Sequence, residues 1–410
     1  MKCRYLPLAA LSTAVLSISS FVSADLPNTF VEDTPAVAAE VNENFEFLNS
    51  RIDALSNYEL IELDINCSGL EPNPAALQEA LDTRPFGRIR VNVAGACGPV
   101  QIRGMHDVSL VGASGASITG TSGDQPALLI DASTGVSISD LRIASAANST
   151  AFGTALTVTF SQAALENLVV TNDGSSDSLL MRVTSQSSVS MTNSSVENDT
   201  GSRGLLVSDK STVSLLGLTE LKGTRDALQV LNGAVAQGSA SNGQQLVTGL
   251  NLDGGLTASD AQLDLLDAEI VSGSDSNVAL SISTSRLQVF VGSNGFSVEG
   301  ETQMFDSLMV AFLNGGDVLL DSGRLDVVNS RFATVNSIGN VNINSNPVRI
   351  ARSEVSWAGG SVSVDSNTQF SIEEFSSFSS LGFVDRADFT CQPFTTAQQT
   401  SGTGDQVLCP

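Results

Sequence analysis

The chain has 410 residues, with 44 acidic against 19 basic side chains and a formal net charge of −25. A surface this acidic repels nucleic acids and anionic lipids, so we expect neither as a partner. The charge fits a solvated coat suited to salty surroundings better than a dedicated calcium function. We therefore expect no required cofactor, and Ca²⁺ stays open as a ligand of clustered carboxylates.

The first 24 residues are typical of a secretion signal. Lys2 and Arg4 form a positive start, residues 6–22 are apolar, and residues 22–24 resemble a cleavage site. We therefore expect an exported protein that begins at Asp25, with the extracellular space, the cell surface and the periplasm as alternatives. After the signal, no run of about 20 apolar residues could span a membrane.

Residues 25–57 are expected to form an N-terminal helical segment. Pro35 suits the first turn, and an apolar heptad pattern runs from Ala38 to Leu55. An isolated helix of this length is marginal, so its apolar stripe needs a partner. Two alternatives remain open, namely a stem that makes a homo-oligomer through residues 34–56, or a cap on the following domain.

The four cysteines beyond the signal form two local pairs, Cys67 with Cys97 and Cys391 with Cys409. An even number of cysteines in an exported chain predicts disulfides. Each pair flanks one end of the repeat region described below. We therefore expect two disulfides that hold the terminal coils of that region.

A second short helix is predicted from Pro74 to Asp82. Asn73 can cap it, Pro74 can start it, and its alanines and leucines give it an apolar face. It lies between two predicted strands, IELDINC from Ile61 and RIRVNVAG from Arg88. A helix in this position would cover the first coil of a solenoid.

Residues from about 100 to 385 repeat a unit of roughly 22 to 30 residues. Four copies are PALLIDASTGVSISDLRIAS, TALTVTFSQAALENLVVTNDG, SLLMRVTSQSSVSMTNSSVEND and RGLLVSDKSTVSLLGLTELKG. Each copy has three short alternating apolar runs separated by Ser, Asn, Asp or Gly, and none has a helical segment. Three strands per repeat predict an all-β fold, a β-helix with one coil per unit.

The segments PNPAALQEALDTRPFGRIRVNVAG and GPVQIRGMHDVSLVGASGASITG make residues 60–385 similar to the right-handed parallel β-helix proteins of the pectin-lyase-like superfamily. The resemblance implies a right-handed parallel β-helix that starts with a helical cap. We place this domain at residues 58–385, followed by a disulfide-closed C-terminal cap or tail at residues 386–410. The resemblance rests on apolar periodicity and turn glycines, so it implies the fold alone.

Enzymes of that superfamily carry short motifs that are missing from this chain. Polygalacturonases have NTD, DD, GHG and RIK strings, and pectate lyases have a WIDH-like string and an RxPxxR segment; none occurs here. The chain has one histidine, His106, which is more typical of a turn or surface residue than of a catalyst, and no Ser-His-Asp, HExxH or zinc-binding spacing can be built. These absences favour a protein without enzymatic activity.

One polar constellation remains as a candidate ligand site. The turns after the third strand of three successive repeats read NDGSSD, NDTGSRG and KGTRDA. Equivalent turns of a β-helix stack about 4.8 Å apart, so their charged side chains would form a ladder. The predicted members of this ladder are Asp173, Asp177, Asp199, Arg203, Arg225 and Asp226.

The ladder admits several interpretations. Neighbouring carboxylates could provide an acid and a base or bind Ca²⁺, and an arginine beside them could hold an acidic sugar. Asp, Asn and Gly are also ordinary turn residues, so the charges could simply balance one another.

We therefore expect a non-enzymatic surface, matrix or adhesion protein whose partner is an acidic polysaccharide or cell-surface glycan. The alternative is a lyase or glycoside hydrolase that acts on an acidic glycan.

Overall fold

The computed structural model describes residues 60–409 as one unit and, in a separate N-terminal unit (Met1–Glu59), residues 41–42 and 44–46. Within the main unit it does not describe residues 69–71, 84–87, 122–124, 146–153, 173–178, 201–202, 218, 239–249, 322, 359–360, 365–367, 374–375, 382–387, 392–395 and 402–403. The five described residues of the N-terminal unit are helical. The predicted signal and the stem-or-cap alternatives for residues 34–56 otherwise lie outside the described residues and stay predictions.

The described strands form three long sheets. The 16-stranded sheet contains β1 (Ile61–Asn66), β2 (Ile89–Ala94), β5 (Val108–Gly112), β8 (Val136–Ser139), β11 (Gln162–Glu166), β14 (Ser188–Thr192), β17 (Thr212–Leu216), β20 (Val235–Gln237), β23 (Gln262–Leu266), β26 (Arg286–Val291), β29 (Leu308–Asn314), β32 (Arg331–Ile338), β35 (Glu354–Ala358), β38 (Ser377–Leu381), β40 (Thr396–Ser401) and β41 (Gly404–Cys409).

The other two sheets complete each coil. The 13-stranded sheet contains β4 (Val100–Arg103), β7 (Leu128–Asp131), β10 (Leu156–Thr159), β13 (Leu179–Thr184), β16 (Arg203–Val207), β19 (Asp226–Leu231), β22 (Leu256–Ser259), β25 (Val278–Ser283), β28 (Glu301–Phe305), β31 (Leu325–Val328), β34 (Val348–Ala351), β37 (Gln369–Glu373) and β39 (Asp388–Cys391). The 12-stranded sheet contains β3 (Ala96–Cys97), β6 (Ser117–Thr119), β9 (Arg142–Ala144), β12 (Val169–Thr171), β15 (Ser195–Glu197), β18 (Thr219–Lys222), β21 (Leu250–Asp253), β24 (Ala268–Val271), β27 (Phe296–Glu299), β30 (Val318–Asp321), β33 (Asn340–Ile343) and β36 (Ser361–Val364).

From β2 to β38, neighbouring strands of a sheet are three positions apart in chain order and pair in parallel, as in the pairing of β10 with β7 and β13. Consecutive strands therefore belong to different sheets, and three strands complete one coil. The predicted all-β parallel β-helix is confirmed. The last strand departs from this pattern, because β41 pairs antiparallel with β40.

Alternation of side chains along each strand builds the core. In β10, Leu156 and Val158 point inward and have no exposed surface, whereas the two threonines between and after them are partly exposed. The same pattern in every coil stacks Leu, Ile and Val in one continuous interior. This burial provides most of the favourable free energy of folding, because each buried aliphatic side chain contributes about 1.5–3 kcal/mol.

A row of buried serines marks the turn between the 13-stranded and 16-stranded sheets. In nine places, a backbone N–H in this row donates to the hydroxyl of the equivalent serine in the next coil, at 2.9 to 3.2 Å. The bonded residues are 22 to 28 apart in sequence, which gives the length of one coil there and agrees with the predicted repeat. The members of this serine ladder are Ser133, Ser161, Ser187, Ser211, Ser285, Ser307, Ser330, Ser353 and Ser376.

The predicted short helix is present but begins two residues later than expected. Helix α1 spans Ala76–Asp82, and its buried Leu77 and Leu81 join the core. Asn73 does not cap the helix; its Oδ1 accepts the N–H of Ala75 at 3.1 Å, which holds a turn before the first helical residue. The helix packs on β1 and β4, at the N-terminal end of the coils.

The Cys67–Cys97 disulfide is present and confirms the predicted N-terminal pair. It joins the turn after β1 to β3 in the first coil, and both residues are buried. Cys391 is also disulfide-bonded. The side chain of Cys409 lies outside the described residues, so the Cys391–Cys409 pair stays a prediction, to be checked by peptide mapping without reduction. Among the described residues, no helix has both the length and the apolar character to cross a bilayer.

Candidate functional site

The predicted charge ladder separates into two clusters in the structure. Arg203 and Arg225 lie beside Asp226, with Nε–Oδ2 distances of 3.9 and 3.7 Å. Asp199 belongs to the other cluster, where its Oδ1 lies 2.8 Å from the Nζ of Lys222. Asp173 and Asp177 lie outside the described residues, so their place in the ladder is untested.

Asp226 is the centre of the first cluster. It opens β19, directly beside Arg203 at the start of β16. Its side chain is only 8% exposed, and its Oδ1 accepts the hydroxyl of Thr257 at 2.7 Å. A buried carboxylate needs such partners, because an unpaired buried charge is strongly unfavourable.

Gly204 allows the backbone of β16 to lie very close to two backbone carbonyl oxygens. A side chain at Gly204 would place its Cβ 2.7 Å from the carbonyl oxygens of Lys222 and Ala227. Only glycine therefore allows β16 to begin this close to the next coil. The close approach brings the guanidinium of Arg203 next to Asp226.

An outward row on the 13-stranded sheet extends this cluster along the helix axis. Gln229 pairs with Leu206 on one side and with Thr257 on the other, and Arg182 precedes Leu206 in the same register. Towards the C-terminus the row continues through Ser281, Gln303, Asp326, Arg349 and Ser371. Strand pairing fixes these side chains at a spacing of about 4.8 Å.

Several polar atoms near this row are buried and make no hydrogen bond with the described residues. They are the Nε atoms of Arg182 and Arg203, the Oε1 of Gln229 and the Oδ1 of Asp326. More than nine in ten buried polar groups in proteins have a partner, so each of these atoms is an exception.

Two further arginines of this sheet are paired with carboxylates. Arg324 Nε lies 2.7 Å from Asp326 Oδ2, and Arg349 Nη2 lies 3.1 Å from Glu373 Oε2. Hydrogen bonds from Ser371 and then Arg349 lower the pKa of Glu373. Fixed guanidinium groups of this kind suit recognition of carboxylate or sulfate groups.

The second cluster is a solvent-exposed ion-pair group. Lys222 lies 2.8 Å from Asp199 and 3.7 Å from Asp253, and the hydrogen bond with Asp199 raises the pKa of Lys222. Asp199 is 64% exposed, so this pair contributes little to stability. Within the described part of the chain, no group of three acidic, histidine or cysteine residues could hold a metal ion.

Sequence reasoning missed Arg182, Gln229 and Thr257. They occupy outward positions of strands, where the alternation of buried Leu and Val places every second residue on the surface. Counting that alternation from coil to coil would have aligned Gln229 with Thr257. The Asp, Asn and Gly residues that mark turns do not single out these outward strand positions.

A polar groove runs along a different face, the outer side of the 12-stranded sheet. Its first part has a volume of about 510 Å³ and is lined by residues of β12, β15, β18 and β21. A narrower part of about 140 Å³ shares Asn251 with the first. A third part of about 330 Å³ shares Asn294, Gly295 and Ser297 with the second, so the three parts are continuous.

Comparison with known proteins gives no family for this chain. No family model matches, and no curated protein matches. Solved structures with a similar fold include a mutant tailspike protein of E. coli bacteriophage HK620 in complex with a pentasaccharide, which is 10% identical with a TM-score of 0.28 and covers 87% of this chain and 77% of its own.

A mannuronic acid-specific polysaccharide family 6 lyase from human gut microbiota is also 10% identical, with a TM-score of 0.26 over 81% of this chain and 82% of its own. These similarities are too weak to carry any conclusion about the ligand or activity of this chain.

Proposed function

We propose that this chain is an exported, non-enzymatic β-helix protein of the cell surface or matrix that binds an acidic glycan on the outer face of its 13-stranded sheet. The observation that carries the proposal is the pair of partly exposed arginines beside Asp226, since the side chains of Arg203 and Arg225 are 39% and 61% exposed. Each guanidinium has five N–H donors, and Asp226 occupies only some of them. A carboxylated or sulfated sugar offers acceptors for the remaining donors.

The distribution of basic residues supports the same face. Fourteen Lys and Arg residues lie in the described part of the chain, and seven of them are on strands of the 13-stranded sheet or next to one. These seven are Arg103, Arg182, Arg203, Arg225, Arg324, Arg349 and Arg352. In a chain of net charge −25, this is where an anion meets the least repulsion.

The same site favours binding over catalysis. Glycoside hydrolysis commonly requires two carboxyl groups about 5 to 10 Å apart across the scissile bond. At the first cluster, Asp226 is occupied by Thr257 and two arginines, and the carboxylates of Asp199 and Asp253 are directed to Lys222. The alternative function, a lyase or hydrolase for an acidic glycan, remains testable by its products.

Export is supported by the Cys67–Cys97 disulfide, since disulfides persist in oxidising compartments. Association into a homo-oligomer through residues 34–56 is also part of the proposal. Sedimentation of the chain from Asp25 and of a version from Asn57 tests it. We expect only the longer chain to associate, and equal monomer masses would favour the cap alternative.

Titration calorimetry with polygalacturonate, alginate and dextran sulfate tests the binding face. We expect Arg203→Gln and Arg182→Gln to weaken binding of the preferred polymer about tenfold each, as for the loss of a charge-assisted hydrogen bond. Arg331→Gln is the matched control, because Arg331 lies on the 16-stranded sheet in an exposed ion pair with Glu354. Equal loss in all three variants would mean non-specific attraction and would overturn the proposed face.

A further inference from the structure

We propose a second binding site in the groove of the 12-stranded sheet, for an extended polyhydroxylated chain that is neutral or carries amino groups. The groove follows the outer face from β12 to β30, six strand spacings or about 29 Å. That length accommodates several sugar residues of a linear oligosaccharide. The site lies on a different sheet from the proposed acidic-glycan face, and it does not rest on that proposal.

The floor and the walls of the groove differ in chemistry. Val169 is 39% exposed and provides an aliphatic floor at one end. Amides and hydroxyls line the walls, among them Asn193, Ser195 and Asn251. Sugar rings have apolar C–H faces and polar edges, so they match a surface of this composition.

The central row of the groove has side chains available for a ligand. Glu220, Asn251 and Glu269 are neighbours on adjacent strands β18, β21 and β24. The amide of Asn251 makes no hydrogen bond within the described protein, and it lies where the first and second parts of the groove meet. Parallel pairing on rigid strands fixes these three groups relative to one another, as a binding site requires.

The charge of the residues that line the groove indicates which class of ligand it can bind. The described residues that line the three parts include Glu197, Glu220, Glu269 and Asp317, and none of them is Lys or Arg. Two basic residues border the groove. Lys222, beside Glu197, is held by Asp199 at 2.8 Å, and Arg142, beside Val169, donates to Thr171 at 3.1 Å. A polyanion would therefore be repelled, whereas hydroxyl and ammonium groups are donors for these carboxylates.

Titration calorimetry with three hexasaccharides tests the proposal. The probes are a glucosamine hexamer, cellohexaose and hexagalacturonate. We expect the glucosamine hexamer to bind most tightly, cellohexaose more weakly, and hexagalacturonate not to compete for the groove. Failure of both non-anionic probes to bind would overturn the proposal.

Substitutions locate the site. We expect Glu220→Gln and Glu269→Gln each to weaken glucosamine-hexamer binding about tenfold, and Asn251→Ala to weaken both non-anionic probes. Glu166→Gln, an exposed carboxylate on the 16-stranded sheet, is the matched control and should change affinity by less than about twofold. Equal effects of all glutamate variants would show attraction to net charge alone and would overturn the site. Arg203→Gln separates the two proposals, because it should leave glucosamine-hexamer binding unchanged.

Discussion

The backbone N–H of Ser307 donates to the hydroxyl of Ser330, one coil later, at 3.0 Å. The hydroxyl of Ser330 in turn donates to the carbonyl of Val328 at 2.7 Å. Ser330 thus satisfies a donor in the preceding coil and an acceptor in its own, and most serines of the ladder do the same. Ser307 and Ser330 are both buried, so water is not a ready substitute for the hydroxyl that the N–H of Ser307 contacts.

Replacing Ser330 with alanine should therefore destabilise the protein. The substitution leaves the N–H of Ser307 and the carbonyl of Val328 without these partners, and we expect a loss of about 1–3 kcal/mol. Urea unfolding of the full chain measures it. Ser356→Ala, on the outward face of β35, is the matched control and should cost less than about 0.5 kcal/mol. Equal stability of the two variants would contradict a structural role for the ladder.

The ladder is interrupted where Ala234 and Ala261 replace serine. There the N–H of Ala234 donates instead to the carbonyl of Leu231 in the same turn, at 3.2 Å. We expect Ala261→Ser to offer this N–H a hydroxyl acceptor and to raise the free energy of unfolding by about 0.5–1 kcal/mol. Ala164→Ser, exposed on β11, is the control and should have no effect. A destabilised Ala261→Ser variant would show that the site has no room for the hydroxyl.

Glu373 gives a pH dependence with a defined sign. Its pKa is lowered from the ordinary value of 4.5 by the hydrogen bond from Ser371 and then by Arg349. A lowered pKa in the folded state adds stability above the unfolded-state pKa, and this stability is lost as the pH falls through the folded-state pKa. We expect Ser371→Ala to cost about 1 kcal/mol at pH 7 and progressively less as the pH falls below 4.5 and through the folded-state pKa of Glu373.

Urea unfolding across that pH range checks the Glu373 prediction, with Ser379→Ala on β38 as the control. A cost for Ser371→Ala that stays constant with pH would contradict the link to the carboxylate.

Calcium should not stabilise the described charge clusters. Asp226 is paired with two arginines, and Asp199 is paired with Lys222, so these carboxylates already have cationic partners. A ligand that binds only the folded state raises its melting temperature as concentration rises. We expect the melting temperature to stay constant from chelator to millimolar calcium. A rise that disappears in Asp199→Asn would instead support calcium binding by the ladder.

The sequence was informative about the coil and much less so about its surface. Alternation of Leu156 and Val158 with threonines defines a strand locally, and its repetition fixes parallel stacking. Asp226 was assigned to a turn together with Asp199, but it opens strand β19 and is buried. The turn that joins a strand of the 12-stranded sheet to the next strand of the 13-stranded sheet varies in length from coil to coil. Alignment of these turns in the sequence therefore could not predict which charged side chains contact each other.

The serine ladder was missed for a related reason. Serine is an ordinary turn residue, so a buried row of serines looks the same in sequence as solvent-exposed turns. The useful signal is positional, because a residue with positive φ comes directly before the serine in many coils, as Asp306 does before Ser307.

Simultaneous measurement of retention and turnover tests most directly whether this protein binds acidic glycans without cleaving them. The chain from Asp25 is immobilised and incubated with polygalacturonate, alginate and dextran sulfate, and the polymers are analysed for chain length and for unsaturated uronate ends. We predict that at least one polymer is retained at full length and is released more readily from the Arg203→Gln variant. Shortened chains or new unsaturated ends would establish an enzyme instead, and failure to retain any of the polymers would contradict the proposed ligand class.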